Sequence, residues 1–595
     1  MITPALQPVP YGYADFEEVR TEGFAYVDKT QWIEALERSN EKYPFIVNPR
    51  RFGKTLFTSM LRAYYDRNQA GAFESNFRGT YIAEHKTKLA NSFHVLSFDF
   101  SGLSGKDEYR DFQSAVCGSI RNFISQYGID DLDPGILSLD DSPAIILMNF
   151  LNAVWPRTGK TIYVIIDEYD QSTNEILARD PARFREITSA TGFLKNFYAR
   201  LKSATVSGPV ARIFITGVVS ISLGSMSSGF NIGTNLTTDT RFAGMLGFTE
   251  AEVRSLIPRV ADPAACGMTT DEIVSRMRML YDGYRFSPDS GVTTFNASMC
   301  LHYLKSLALS RKEPRRLLDP NFSGDLKKIH GMLSLGSPQT IRTVVEMAMR
   351  GEAIPIDELE TEINLNEHES LSDSDLLSTL FYMGFLTFAQ DRDDLLVVPN
   401  RAVMEQFFRY YFRFVRGFSE FRFRHEEFEA PVRALKAGDP EPFVRKVAQF
   451  LRDSSGINKS LHLLEGDFQT ALVMAARLVT DLRVLSELEV GGNGVKGYAD
   501  LVLAPDDPNE CEFAFVLELK HLSKGGAKGD AVSRKLEEAR RQALAYAASE
   551  TIARIAGRSS LLAVAAVFAG DELAAMDCVR IESGGGSRQA VARMA

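Results

Sequence analysis

The chain has 595 residues, 45% of them hydrophobic and 24% charged, with 43 Gly and 23 Pro. These are ordinary globular values, which exclude collagen, coiled coil and wholesale disorder; at roughly 150 residues per domain the length allows about four domains, or two large ones with a connector. A formal net charge of −10 excludes a uniformly basic nucleic-acid coat but leaves room for a local basic groove.

From the N-terminus, the run MITPALQPVPYGYADFEE has no basic start followed by an apolar stretch, so no signal peptide is expected. The apolar runs PFIV (44–47), HVLSFDF (94–100), TIYVIID (161–167) and ARIFITG (211–217) predict buried strands. Helical patterns separate them, as a parallel α/β sheet requires. Residues 1–310 therefore form one expected domain. Residues 311–455 read as a mainly helical connector, with an exposed acidic stretch at 352–375 and a hairpin signal at 385–400. A helix over 374–383 with that hairpin suggests a small winged-helix-like or lid element, able to touch DNA or only the body of the first domain. Residues 456–595 begin with helix, turn to the strands YADLVL and FAFVLELK, return to helix and one strand, and end in GGGSRQAVARMA, which is expected to fray. The longest apolar run, Leu561–Ala569, is too short to cross a bilayer. Five scattered cysteines without a CxxC pair, and eight histidines without metal spacing, suggest neither a disulfide framework nor a zinc site. A reduced, cytoplasmic chain without membrane contact is expected.

Strand PFIV runs into Asn48-Pro49-Arg50-Arg51-Phe52-Gly53-Lys54-Thr55, and a helical pattern follows. A GxxxxGK[ST] loop between strand and helix cradles phosphates with its backbone N–H groups and the helix N-terminus. Lys54 would meet the β- and γ-phosphates of ATP, and the Thr55 hydroxyl would ligate Mg²⁺. Asn48 replaces the first glycine; Asn tolerates left-handed backbone better than most residues, so the turn survives. A second GKT, Gly159–Thr161, precedes a strand and fails on context. The strand after it ends in Asp167 and Glu168. Asp167 would hold Mg²⁺, directly or through water, and Glu168 would polarise the attacking water. Thr216-Gly217, at a later strand end, could sense the γ-phosphate or simply turn the chain. Arg50, Arg51, Arg241 and Arg285 are candidates to counter phosphate charge.

YVDKT (26–30), NPRRFGKT (48–55), IIDEYD (165–170), FITGVVSIS (214–222), LGFTEAEV (246–253) and YDGYRF (281–286) follow one another as in AAA-ATPase-like domains. The first half of the chain thus resembles the ATPase domains commonly fused to PD-(D/E)XK nucleases in bacterial proteins. The resemblance implies that Asp28 and Lys29 lie near the nucleotide; the residues alone favour a helix cap and a surface lysine.

In the last domain, YADLVL and FAFVLELK flank the turn Asp506–Glu510. A hairpin symmetric about residue 509 sets Asp500 opposite Glu518, and Lys520 shares the Glu518 face. Two carboxylates and a lysine suit metal-dependent phosphodiester hydrolysis: Asp500 and Glu518 would bind Mg²⁺, and Lys520 would orient water or counter developing charge. Glu465 upstream, before an apolar helix, and Gln542 with Tyr546 (i, i+4) downstream complete an order that resembles the PD-(D/E)XK superfamily, in which Glu465 and Gln542 join the catalytic set. Glu489 also matches the variant attached to AAA-ATPase-like domains, whereas Val495-Lys496-Gly497 departs from its compact G-x-G-R run. An exposed hairpin with unremarkable Asp, Glu and Lys is the bland alternative. Segment 520–541 holds seven Lys/Arg against three acids, either a phosphate-facing surface or a solvated helix face. Residues 407–424 interleave aromatics and arginines, for a single strand or for a core helix with snorkelling arginines.

Together these features predict an α/β P-loop domain, a helical connector and a nuclease-like α/β domain. They imply ATP and Mg²⁺ as cofactors and nucleic acid, DNA before RNA, as partner, with a homo-oligomer left open. The alternative is an ATP-switched binding module whose nuclease fold is inactive.

Overall fold

A computed structural model of the chain describes residues 6–101, 107–189, 191–219, 231–314, 318–319, 333, 336–360, 371–418, 420–455, 463–492, 495–505, 511–584 and 587–591. It divides into two compact units. One is Met1–Val344 with Ala353–Val403; the other is Val345–Glu352 with Met404–Ala595.

The four predicted strands of the first unit all form: β1 (Pro44–Val47), β2 (His94–Asp99), β3 (Ile162–Asp167) and β4 (Val210–Gly217). With β5 (Thr234–Asn235) they make a parallel sheet in the order β2-β3-β4-β1-β5. Every residue of β3 is buried, the condition under which parallel strands read as unbroken apolar runs. The helices Lys54–Tyr65, Glu108–Tyr127, Pro143–Thr158 and Phe193–Ser207 supply the crossovers. A second apolar core gathers Leu256, Ile257, Val274, Met277 and Tyr303 from the helices Glu250–Val260, Thr270–Tyr281 and Ala297–Ser310.

The expected hairpin exists as β7 (Thr387–Phe388) and β8 (Leu395–Val397), with β6 (Ile354–Pro355) beside β8 and the helix Asp373–Tyr382 before it. It packs on the body of its own unit. The Arg285 N–H donates to Thr387 Oγ1 at 2.7 Å, and Gly384 lies so near Pro49 that a Cβ there would stand 2.6 Å from Pro49 Cγ. Residues 361–370 of the acidic stretch lie outside the described residues.

In the second unit β9 (Leu482–Gly492), β10 (Val495–Pro505), β11 (Phe513–Leu522), β12 (Ser560–Ala569), β13 (Glu572–Gly584) and β14 (Ser587–Val591) form one sheet in the order β14-β13-β12-β11-β10-β9. Only β11 and β12 run parallel among these pairings. Part of the tail expected to fray is ordered instead: residues 587–591 pair with β13, and residues 585–586 and 592–595 lie outside the described residues. The helices Ala531–Ala547 and Glu550–Ala556 bury Ala543, Ala547, Ile552 and Ala556 against Val502, Val516 and Ala563. The short segment Val345–Glu352 is anchored in this unit by the Arg350 carbonyl, which accepts from the Arg477 guanidinium, and by an Arg350–Glu487 ion pair at 3.3 Å.

The aromatic and arginine stretch follows the core alternative. Phe408 and Phe412 are buried. Arg409 pairs with Glu405 at 2.6 Å and Arg416 with Asp467 at 2.5 Å. The helix Arg401–Tyr410 widens into a π-turn over Tyr411–Val415, which changes the angular spacing of the arginines that follow.

Candidate functional site

In the first unit β1, β3 and β4 end side by side, and the loop after β1 lies over that edge. Its left-handed residues are Arg51 (φ 70°) and Gly53 (φ 91°); Asn48 is not among them, so the turn does not use the freedom expected of Asn48. Asn48 is instead buried, its N–H donating to the Gly217 carbonyl at 3.1 Å. Gly53 caps the helix Lys54–Tyr65, and the Lys54 amine donates to the Asn48 and Pro49 carbonyls at 2.8 and 2.9 Å. Phe52 is buried between Tyr284 and Phe286 and anchors the loop. A cavity of about 430 Å³ opens beside it, lined by Arg50, Arg51, Gly53, Lys54, Thr55 and Glu168 among others.

Asp167, at the end of β3, accepts from Thr216 and from the Glu168 N–H, and its Oδ2 faces Thr58 Oγ1 at 3.4 Å. Thr216 is therefore tied to Asp167. Glu168 has left-handed backbone, φ 50°, which a non-glycine residue keeps only when its surroundings hold it there. Burial pulls the Lys54 ammonium down to about 8 against the upward pull of Glu168 and Asp167. Burial raises Glu168, with Lys54 opposing. Asp170, given no role by sequence reasoning, is 1% exposed. It accepts from the backbone N–H of Val218 (3.0 Å) and Val219 (2.7 Å) and from Asn174 (2.6 Å), fixing the exit of β4 to the end of β3.

Lys29 also lines the cavity. It is buried rather than a surface lysine, bonded to the Gly244 carbonyl (2.9 Å) and to Glu252 (2.8 Å), a partner 223 residues away that no local pattern reveals. Asp28 behaves as a cap, accepting from the N–H groups of Thr30 and Tyr81. Arg241 pairs with Asp239 and Arg285 bonds the Ser290 carbonyl; neither lines the cavity. In the second GKT, Lys160 donates to the Thr205 carbonyl.

In the second unit the β10–β11 ladder pairs Leu501 with Leu517, Val502 with Val516 and Leu503 with Phe515, the register of a hairpin centred on 509; the turn 506–510 itself lies outside the described residues. Past Leu501 the strands part company. β10 stays with β9 down to Val495, and β11 stays with β12 up to Leu522. Asp500, Glu518 and Lys520 sit at this fork. The Asp500 carboxylate accepts the Leu519 N–H at 2.7 Å, and the Lys520 amine stands 3.3 Å from Glu518 and 3.1 Å from the Leu519 carbonyl. Glu518 is 2% exposed, and among the described residues no donor group reaches its Oε1. Burial, then the neighbouring Asp500 charge, push Glu518 up to about 8; burial likewise raises Asp500.

Glu465 opens the helix Glu465–Val479 and accepts the His521 N–H at 3.0 Å, one residue from Lys520. Gln542 and Tyr546 come from the helix Ala531–Ala547. The Gln542 Oε1 is buried without a partner among the described residues, and the Tyr546 ring lies so close to β10 that a Cβ at Gly497 would stand 2.6 Å from its Oη. That contact gives a physical reason for glycine at 497. Glu489 is exposed on β9 opposite Tyr498. Among the described residues no group of three or more His, Cys, Asp or Glu is arranged to hold a metal. Mg²⁺, however, binds through one or two carboxylates with water and phosphate oxygens completing its shell, and a buried carboxylate oxygen lacking a donor suits a cation. Among the described residues no helix is long and apolar enough to cross a membrane.

Residues 10–227 match the model of a family described as "Predicted AAA-ATPase". A protein of Azotobacter chroococcum mcd 1, "Uncharacterized protein in vnfD 5'region", is 27% identical over 289 residues, 48% of this chain; the chain spans about half (50%) of that relative's length. Among solved structures, a Walker-type ATPase of Pyrococcus abyssi is similar at a TM-score of 0.35 and 15% identity, over 64% of this chain and 96% of that one. The family match and the α/β unit with its five-stranded parallel sheet support ATP binding by the N-terminal region.

Proposed function

We propose that the first unit binds ATP with Mg²⁺ and hydrolyses it, and that the second is a metal-dependent nuclease whose cutting of nucleic acid, DNA before RNA, is governed by the nucleotide. The first half rests on the convergence of Lys54, Thr55 and Glu168 on one cavity of about 430 Å³. The second half rests on the fork that brings Asp500, Glu518 and Lys520 together.

Lys54, held between loop carbonyls, answers phosphate charge. Arg50 and Arg51 extend the positive wall. Glu168, made more basic by burial, takes the proton of the attacking water. Thr55 and Asp167 would hold the Mg²⁺ of the nucleotide. In the second unit Asp500 and Glu518 would hold Mg²⁺, with Glu465, Lys520 and Gln542 bordering the reacting phosphate. Bound Mg²⁺ supplies Lewis-acid polarisation of a phosphoryl oxygen and a lowered water pKa. Lys520, pinned by Glu518 and the Leu519 carbonyl, orients that water and counters the charge of the transition state.

The test incubates the purified full chain with single- and double-stranded DNA and RNA, with Mg²⁺ or Mn²⁺, with and without ATP, beside Glu518→Ala and Lys54→Ala. Cleavage abolished by Glu518→Ala and altered by Lys54→Ala is the expected result. No cleavage of any substrate by a protein that still binds ATP would replace the nuclease by an ATP-switched binding module.

A further inference from the structure

The helix Ala531–Ala547 carries an unequal distribution of charge. Its inner face is alanine, with Ala539, Ala543 and Ala547 at most 1% exposed. One flank is Arg540, paired with Asp577 at 3.0 Å. The other flank, toward the fork, carries Lys535, Gln542 and Tyr546, with Lys535 neutralised by Glu538 at 2.7 Å. In the preceding loop Lys524 is neutralised by Asp571 at 2.7 Å. Arg534 and Arg541 differ from these: both are exposed, and among the described residues neither forms an ion pair, the nearby Glu538 being engaged by Lys535 and only felt by Arg541. Seven positions apart, they share the outer face of the helix two turns from one another, roughly 10 Å along the axis. Gln542, adjacent to Arg541, has its buried Oε1 unpartnered among the described residues, and Tyr546 reaches Gly497, on the strand that carries Asp500.

We infer that Arg534 and Arg541 form a phosphate track that seats the backbone of one nucleic-acid strand beside the Asp500–Glu518–Lys520 fork. This rests on the nuclease reading of the fork. In a chain of net charge −10, cations left unpaired on one helix face are where a polyanion gains most, because each phosphate neutralised there releases condensed counterions. Guanidinium groups suit the task, since their forked donors match phosphate oxygens. Such contacts fix the position of the strand without reading its sequence.

The experiment measures binding of labelled single-stranded and duplex DNA to the full chain in EDTA, by fluorescence anisotropy, between about 50 and 200 mM salt. Wild type is compared with Arg534→Gln, Arg541→Gln, their double variant, and Arg540→Gln as the paired-arginine control. Each track substitution is expected to lower the slope of log Kobs against log salt by about 0.9 on duplex or about 0.7 on single strand. The double variant loses roughly twice that, equally for unrelated sequences, while Arg540→Gln leaves the slope in place. An unchanged slope in the double variant, an equal drop in the control, or no binding by wild type overturns the track. Cleavage with Mg²⁺ is scored separately. A slope that falls in a protein that cuts nothing keeps the track and removes the nuclease; a protein that cuts with an unmoved slope does the reverse.

Discussion

The Asp500 carboxylate accepts the Leu519 N–H at 2.7 Å, directly after the last paired residues, Leu501 and Leu517. A side chain thus takes over where the backbone ladder stops. The same carboxyl is asked both to close the fork and to bind a cation. Substitution separates the two. Asp500→Asn keeps an oxygen for Leu519 and should cost less than about 1 kcal/mol of stability, yet lower Mg²⁺-dependent cleavage at least a hundredfold. Asp500→Ala should lose both. Cleavage retained by Asp500→Asn would sink the cation role.

Asp170 predicts a stability effect remote from the chemistry. Asp170→Ala leaves the amides of Val218 and Val219 and the Asn174 side chain without their acceptor, at a cost of about 3 kcal/mol or more. Both tryptophans, Trp32 and Trp155, belong to the first unit, so their fluorescence in a urea titration reports it selectively. A midpoint within error of wild type would contradict the pinning role.

Gly497 predicts a coupled pair. Alanine there overpacks against Tyr546 and should destabilise the second unit by about 1–3 kcal/mol. In a Tyr546→Ala background the same substitution should cost less than about 0.5 kcal/mol, because the obstructing ring is gone. Thermal unfolding followed by circular dichroism, in a double-mutant cycle, measures the coupling. Equal costs in both backgrounds would refute the contact.

His94 predicts the acid limb of the first unit. Burial, then the Arg67 charge, depress its pKa from 6.5 to about 4. The ring is held neutral, Nε2 accepting from Arg67 at 3.2 Å and Nδ1 donating to Thr161 Oγ1 at 3.0 Å. The folded state therefore binds fewer protons than the unfolded state between those values. Stability from this site is complete above pH 6.5 and is lost as pH falls towards 4. The tryptophan-monitored midpoint should drop across that window, and His94→Gln should flatten the drop. A variant as acid-sensitive as wild type would assign the limb to other groups.

The strands of the first unit were legible because each of β1 to β4 carries a run of mostly buried apolar residues, broken by few polar ones, as strands of a covered parallel sheet do. The register of β10 on β11, which brings Asp500 and Glu518 to the end of the ladder, was legible because hairpin register is arithmetic. What escaped depends on tertiary placement. Residues 587–591, Ser-Arg-Gln-Ala-Val, form an edge strand with too little apolar patterning to announce itself. The left-handed turn expected at Asn48 is taken by Arg51, a residue type that carries no such signal. Lys29 and Glu252 meet across more than two hundred residues, and Asp170 acts through amides that only β4 brings near. The isolated propensities of Arg241 and Arg285 could not tell that local partners had claimed them.

The eight residues Val345–Glu352 give the second unit a piece of chain from the middle of the first. The polypeptide therefore passes between the units three times, and no single cut releases both whole. A fragment starting at Met404 would leave Arg477 without the Arg350 carbonyl it binds, an open seat that a peptide of residues 345–352 could fill in trans. Neither unit is a cassette that end-to-end joining can transplant: moving one into another protein means carrying along a strip of its neighbour.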